Sequence, residues 1–337
     1  MKRRDLMLLG AAALLTAPSV ARFQAPRVIR YTHFQPEHLD QPKHAAALAF
    51  KSTVEELTNG RLRVHIFPAR QIGPALQVME QLRLGSLEMA VVHDGGIAGT
   101  YAPYQAFSLP FIWEDHEVAW RVLDGPFGAE MAVDMQRRAN IRLLAHADNG
   151  VRHFTSNRRP IVTPDDMRGL KICVQPSPVF VELVQSLGAI PSAIDWGELP
   201  AALAQGMVDG QENGVTNILA SSLFQHQRHI TLSGHVYSLH AYLMSERFFS
   251  RLGNEERAAV LRGTEIAKVI HRAMTTAQDA NAETILRNRG MTVQRLTGLQ
   301  IDAFRKIILP AVRFSLEAEI GREWVKKLFA ATRTARG

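Results

Sequence analysis

The chain has 337 residues, 46% of them hydrophobic and 21% charged, a balance that allows two domains with sizeable cores and excludes a disordered polymer. Its net charge of +7 comes from Lys and Arg dispersed among acids rather than gathered on one element, which argues against nucleic acid as a partner. The one cysteine, Cys173, can close no internal disulfide, so stability must come from the cores alone.

The N-terminus reads as a targeting segment over residues 1–21. Lys2, Arg3 and Arg4 precede an apolar run from Leu6 to Leu15, and Ser19-Val20-Ala21 is a small-residue cleavage site. Arg3-Arg4 also fits a loose twin-arginine pattern, so both export routes stay open. Either one predicts a soluble, exported protein of the periplasm. The segment carries +2 of the charge (three cations against Asp5), leaving +5 on the remainder.

Beyond it, Val28–His33 reads as a strand, Gln41–Leu57 as a helix stopped by Asn59-Gly60, and Leu62–Phe67 as an alternating strand. A second helix runs from Pro74 to Leu84 before Gly85, and Leu87–Val92 is an apolar strand. This β-α-β-α-β order predicts an α/β fold with right-handed crossovers. The next loop, His93-Asp94-Gly95-Gly96, sits at a strand's carboxyl end, where open α/β sheets bind ligands. His93 is thus either ligand-facing or an ordinary loop histidine.

Helices at Glu117–Leu123 and Phe127–Arg138 lead to a strand at Ile141–Ala147, and Arg152 ends a short strand beside a Gly150 turn. Thr163-Pro164-Asp165-Asp166 predicts a capped helix start. Strand Lys171–Val174, helix Pro178–Leu187 and strand Ala189–Ile194 follow. Asp195-Trp196-Gly197-Glu198 opens a helix ending at Gly206, and Asp209 to Asn213 reads as a tight polar turn. Two strands, Ile230–Ser233 and Tyr237–Met244, precede a helix of about 35 residues from an Asn254 cap to Arg289, roughly 50 Å at 1.5 Å per residue and long enough to span two lobes. A strand at Met291–Leu296 and further helices complete the chain.

No G-x-S-x-G, H-E-x-x-H or Cys-x-x-Cys motif occurs, and the histidine pairs lack a carboxylate to complete a metal site. The sequence therefore calls for no catalytic residue, no metal and no cofactor. It reads better as a binding cleft. The planar fork of Arg152 suits a carboxylate, or equally an interlobe or surface salt bridge. Trp196 is either a flat wall for a ligand or a cap on the core. Asn213 either orients a ligand or satisfies its own turn.

Arg152 with its flanking Asn149-Gly150-Val151 and His153-Phe154-Thr155, Gly169-Leu170-Lys171-Ile172, Asp209-Gly210-Gln211-Glu212-Asn213 and Phe67-Pro68-Ala69-Arg70-Gln71-Ile72-Gly73 resemble the solute receptors of tripartite ATP-independent periplasmic (TRAP) transporters. The resemblance covers nearly the whole chain after the signal. It implies a two-lobed periplasmic-binding-protein-like fold with an interlobe cleft, and closure on a small organic acid delivered to membrane permease subunits. It also implies a first lobe over 26–148 plus 238–270 and a second over 149–237 plus 271–337. Carried over by position, Arg152 faces a carboxylate, Trp196 is the aromatic wall, Asn213 the orienting amide, and His93 the first lobe's contact. Gln175 is a further candidate. The departure is Cys173, which stands where the family has a carboxylate-clamping arginine. A thiol with an ordinary pKa near 8.5 is mostly neutral at pH 7 and cannot replace a fixed cation. The alternatives are a neutral or zwitterionic solute, or a periplasmic sensor that feeds a signalling protein. The long helix offers a face for a possible homodimer.

Overall fold

The computed structural model describes residues 25–336, so the expected signal segment lies outside the described residues. Strand β1 (Arg27–Thr32) leads to α1 (Pro42–Leu57), β2 (Leu62–Phe67), α2 (Ala75–Leu84) and β3 (Met89–His93). These elements follow the predicted order to within two residues at each end. Asn59, Gly60 and Gly85 all take positive φ, the left-handed geometry that closes α1 and α2. Pro74 and Gln41 turn out to be caps rather than first helical residues. The expected loop after β3 instead winds one turn, α3 (Asp94–Ile97), with the Asp94 carboxylate accepting from Gly95 N at 3.0 Å.

Next come α4 (His116–Leu123) and α5 (Pro126–Ala139), then β4 (Ile141–Ser156). The predicted short strand and Gly150 turn are one 16-residue strand. Gly150 at φ +103° makes an irregularity inside it, and Arg152 lies in mid-strand. A turn of 3₁₀ helix at Pro164–Met167 carries the expected cap, with Thr163 N donating to Asp166 Oδ2 at 2.7 Å. Beyond it lie β5 (Lys171–Val174), α6 (Pro178–Ser186), β6 (Ile190–Ala193), α7 (Leu199–Ala204), β7 (Gly210–Gly214) and α8 (Val215–Ala220). Residues 210–213, expected as a turn, are thus a strand, and every residue of β7 is buried.

The two strands expected between 230 and 244 are likewise one, β8 (His229–Ser245), which Gly234 at φ +58° bends without ending. After α9 (Glu246–Phe249), the expected 35-residue helix is split into α10 (Asn254–Ala280, 27 residues) and α11 (Ala282–Asn288). Asn281 turns its side-chain amide back onto the Ala277 carbonyl at 2.8 Å, a local bond that competes with helix continuation. At the other end Gly253, not Asn254, is the cap, and its N–H donates to Glu256 at 2.8 Å. Strand β9 (Thr292–Arg295), α12 (Gly298–Ile320) and α13 (Arg322–Arg336) complete the chain.

The nine strands of the described residues form one sheet, ordered β2-β1-β3-β8-β4-β7-β5-β6, with β9 on β8. The long antiparallel pair β4 and β8 joins two parallel wings, β2-β1-β3 and β5-β6. Strand β7 couples the second wing to β4, antiparallel to β4 and parallel to β5. Helix α10 packs across α1, and a Cβ on Gly263 would come within 2.8 Å of Val54 Cγ2, so the missing side chain sets that close approach. Phe107, Phe154, Phe180 and Phe304 are fully buried in the largest core cluster, each stabilising the fold by about 1.5–3 kcal/mol. The carboxyl ends of β3 and β5 come together at a gap between the wings.

Candidate functional site

A cavity of about 230 Å³ occupies that gap. The six residues singled out in the sequence, His93, Arg152, Cys173, Gln175, Trp196 and Asn213, all line it. They come from β3, β4, β5, β7 and the β5–α6 and β6–α7 connections, so only the folded sheet brings them together.

Arg152 lines the cavity and is held in a buried ion pair, not in the surface salt bridge that was the alternative. Its guanidinium forks onto the Glu212 carboxylate through Nε and through Nη2, the latter at 2.7 Å to Oε1. Nη2 also donates to the Glu212 carbonyl at 2.5 Å, and Nη1 donates to Asn213 Oδ1 at 3.1 Å. Phe180 covers the ring side, 5.0 Å from the guanidinium carbon. Four of the five N–H donors of an arginine are thereby engaged, leaving one on Nη1. Burial raises the Glu212 pKa, but the Arg152 charge and the bonds from His235 and Arg152 outweigh it and hold the carboxyl below its usual range. The pair is almost completely dry, at 1% and 0% side-chain exposure.

Cys173 is buried beside this pair, in a small apolar cluster with Leu199, Val208 and Val215. Burial pushes its thiol up to about 12, so it is neutral throughout the physiological range. Trp196 is half-buried, lines the cavity and packs against the same cluster. The sheet sets Cys173 directly opposite Gln211 on β7.

His93 and Gln175 bridge the gap between the wings. Gln175 Nε2 donates to Asp94 Oδ1 at 3.1 Å, which fixes the amide's orientation. Its Oε1 therefore faces His93 Nδ1 at 2.5 Å and Gly95 N at 3.2 Å. Burial lowers the His93 pKa, which leaves a neutral ring, and its Nδ1 also accepts from the Gly96 N–H at 3.0 Å. A second bridge closes the rim, where Arg70 Nη2 meets Asp195 Oδ1 at 2.5 Å. Gly197 leaves room for it; an added Cβ would lie 1.5 Å from Arg70 Nη1.

The sequence missed a hydrogen-bonded row behind the cavity. Lys43 Nζ, which can only donate when charged, reaches Asn217 Oδ1 at 3.1 Å. Asn217 therefore turns its nitrogen to Asn149 Oδ1 and Asn213 Oδ1, both at 2.7 Å. Asn213 Oδ1 accepts from Arg152, Gly214 and Asn217, which leaves Nδ2 as the donor Asn213 can offer a ligand. Gln35 donates its Nε2 to Asn217 Oδ1 at 2.7 Å. None of these long-range pairings carries a local sequence signal.

A two-lobed α/β fold enclosing a cavity lined by polar groups from both sides of its sheet defines a solute-binding receptor. The chain belongs to the family of bacterial extracellular solute-binding proteins, family 7, which it matches over residues 34–319, and it is a receptor of the TRAP type. It is 29% identical over 328 residues to the C4-dicarboxylate-binding periplasmic protein DctP of Rhodobacter capsulatus, covering 96% of this chain and 97% of that one. The sugar acid binding protein of Advenella mimigardefordensis, solved with galactonate, superposes with a TM-score of 0.87 at 29% identity, covering 92% of this chain and 99% of that one. A TRAP periplasmic solute binding protein from Sulfurospirillum deleyianum with bound succinate superposes at 0.85 and 28% identity, covering 91% and 100%. These relatives are solute-binding proteins rather than enzymes, and no helix of the described residues is long and apolar enough to cross a membrane.

Proposed function

We propose that this receptor encloses a small organic acid in the periplasm and delivers it to a membrane permease, without chemistry of its own. The observation that carries this reading is the donor pair at the cavity floor, Asn213 Nδ2 and the remaining Nη1–H of Arg152. Two N–H groups side by side suit one carboxylate. The relatives that take C4-dicarboxylate, galactonate and succinate support the class. Lobe I comprises 26–148 plus 238–270 and lobe II 149–237 plus 271–337, with residues 1–21 removed on export. The Arg70–Asp195 and Gln175–His93 bridges are the contacts that closure makes, and a solute touching both lobes favours that state.

A thermal-shift panel of organic acids, amino acids, polyols and sugars tests the class. Binding to the native state raises Tm by mass action, so acids at 100 times their Kd should add about 2.7 kcal/mol of stability. Asn213→Ala should abolish the shift measured from its own ligand-free Tm, which itself falls because Arg152, Gly214 and Asn217 lose their shared acceptor. A panel in which no acid raises Tm would sink the reading.

A further inference from the structure

The charged side chains at the cavity lining are paired, and Lys43, outside the lining, bonds Asn217 behind it. Arg152 is neutralised by Glu212 and Arg70 by Asp195, and Cys173 adds none. What the cavity does leave open is a pair of hydrogen-bond acceptors, whose orientation the surrounding bonds fix.

Gln227 Nε2 donates to the His226 carbonyl at 2.9 Å, so its Oε1 must be the atom that accepts from the Thr155 hydroxyl at 2.7 Å. With its proton committed there, Thr155 Oγ1 can only accept from Gln211 Nε2, which lies at 3.0 Å. Gln211 Oε1 is left buried, with no partner among the described residues, next to Cys173. The same logic applies to Gln35. Asn217 offers Oδ1 toward Lys43, so Gln35 gives it Nε2 and its own Oε1 has no partner. Gln35 and Gln211 are 4% and 0% exposed, and both line the cavity. A buried acceptor without a donor costs about 1–3 kcal/mol, so these oxygens call for a donor from the occupant. An arginine at position 173 would bring a donor next to Gln211; a buried neutral thiol leaves the oxygen open.

On the reading that the solute is an organic acid, we propose that the Cys173–Gln211 end of the cavity selects for a hydrogen-bond donor on the solute and against a second anion. The solute is then a monocarboxylate. Its carboxylate meets Asn213 and Arg152, and a hydroxyl or ammonium group elsewhere on it meets Gln211, with Gln35 a second acceptor in the same lining. The side chains of Trp196, Leu199 and Cys173 give its body an apolar wall.

The test uses matched chains at two lengths, by calorimetry on the mature protein. Succinate, 4-hydroxybutyrate, 4-aminobutyrate and butyrate form one set; adipate, 6-hydroxyhexanoate, 6-aminohexanoate and hexanoate form the other. Wild type should bind the hydroxy or amino acid at least about tenfold more tightly than the diacid of the same length. Whichever of the two leads identifies the donor as hydroxyl or ammonium. Cys173→Arg should reverse the order in favour of the diacid, and Cys173→Ser should keep the wild-type order. A diacid that equals or beats both donor-bearing acids in wild type overturns the inference, even if Cys173→Arg does not fold. An unchanged order in a folded Cys173→Arg overturns it too. If these sets and the wider acid panel all fail to bind either form, the organic-acid reading falls and this inference falls with it.

Discussion

Glu212→Gln should destabilise the fold by about 3–5 kcal/mol, the cost of leaving a buried charge without its partner. Arg152 is 1% exposed, and the substitution removes its counter-charge while keeping the shape. A guanidinium cannot shed its proton, so it remains a bare cation against Phe180 and the sheet. Arg152→Met should cost less, because the carboxyl left behind has an escape. Burial already pushes the Glu212 pKa up, and without Arg152 only His235 opposes that push, so the group can take a proton. The double variant Arg152→Met, Glu212→Leu should recover much of the loss, since apolar replacements of a buried pair are often neutral. Urea unfolding midpoints at constant slope measure all three. A loss below about 1 kcal/mol for Glu212→Gln would mean that water reaches the pair and that the dry ion pair described here is wrong.

The sequence showed what is local. Strands alternated, helices ended at left-handed Gly85 and Gly60, and Asp166 closed its cap, all within a few residues of each signal. It misled where tertiary structure overrides local chemistry. Gly210-Gln211-Glu212-Asn213 has turn composition, yet it forms a buried strand because most of its polar groups find partners, in Thr155 and Arg152 across the sheet and in Asn217 on α8. Gly210 itself permits that strand, since a Cβ there would sit 2.0 Å from the Thr155 carbonyl oxygen. The break at Asn281 turned on a single side-chain amide. All six candidate residues reached one cavity because the family resemblance carried them as a set. The ion partner of Arg152, 60 residues away in sequence, and the acceptors Gln35 and Gln211 needed the strand register before they could be found.

Acid should unfold this protein early, with Tm falling by about 10 °C between pH 7 and pH 5. His33, His146 and His153 are buried, and burial lowers each pKa to about 3. Unfolded, each titrates near 6.5. Between those values the unfolded chain binds more protons, so each histidine removes up to about 1.4 kcal/mol of stability per pH unit as pH falls below 6.5. Asp279 acts in the opposite sense. Burial raises its pKa to about 6 against an ordinary 3.8, so its contribution is fully present below 3.8 and is lost as pH rises through 6. Three groups against one leave a net loss of roughly 2.7 kcal/mol per unit in that window. Burial also lowers His93, His235, His240 and His271, which steepens the fall. At about 2 °C per kcal/mol for a chain of this size, two pH units give the stated drop. His146→Gln should flatten the slope by about one proton's worth, because the Tyr104 hydroxyl, 3.0 Å from His146 Nδ1, can bond an amide that never titrates. A Tm that holds level from pH 7 to pH 5 would mean that these rings find protons inside the fold. In that case the burial of His33, His146 and His153 could not be what keeps them neutral.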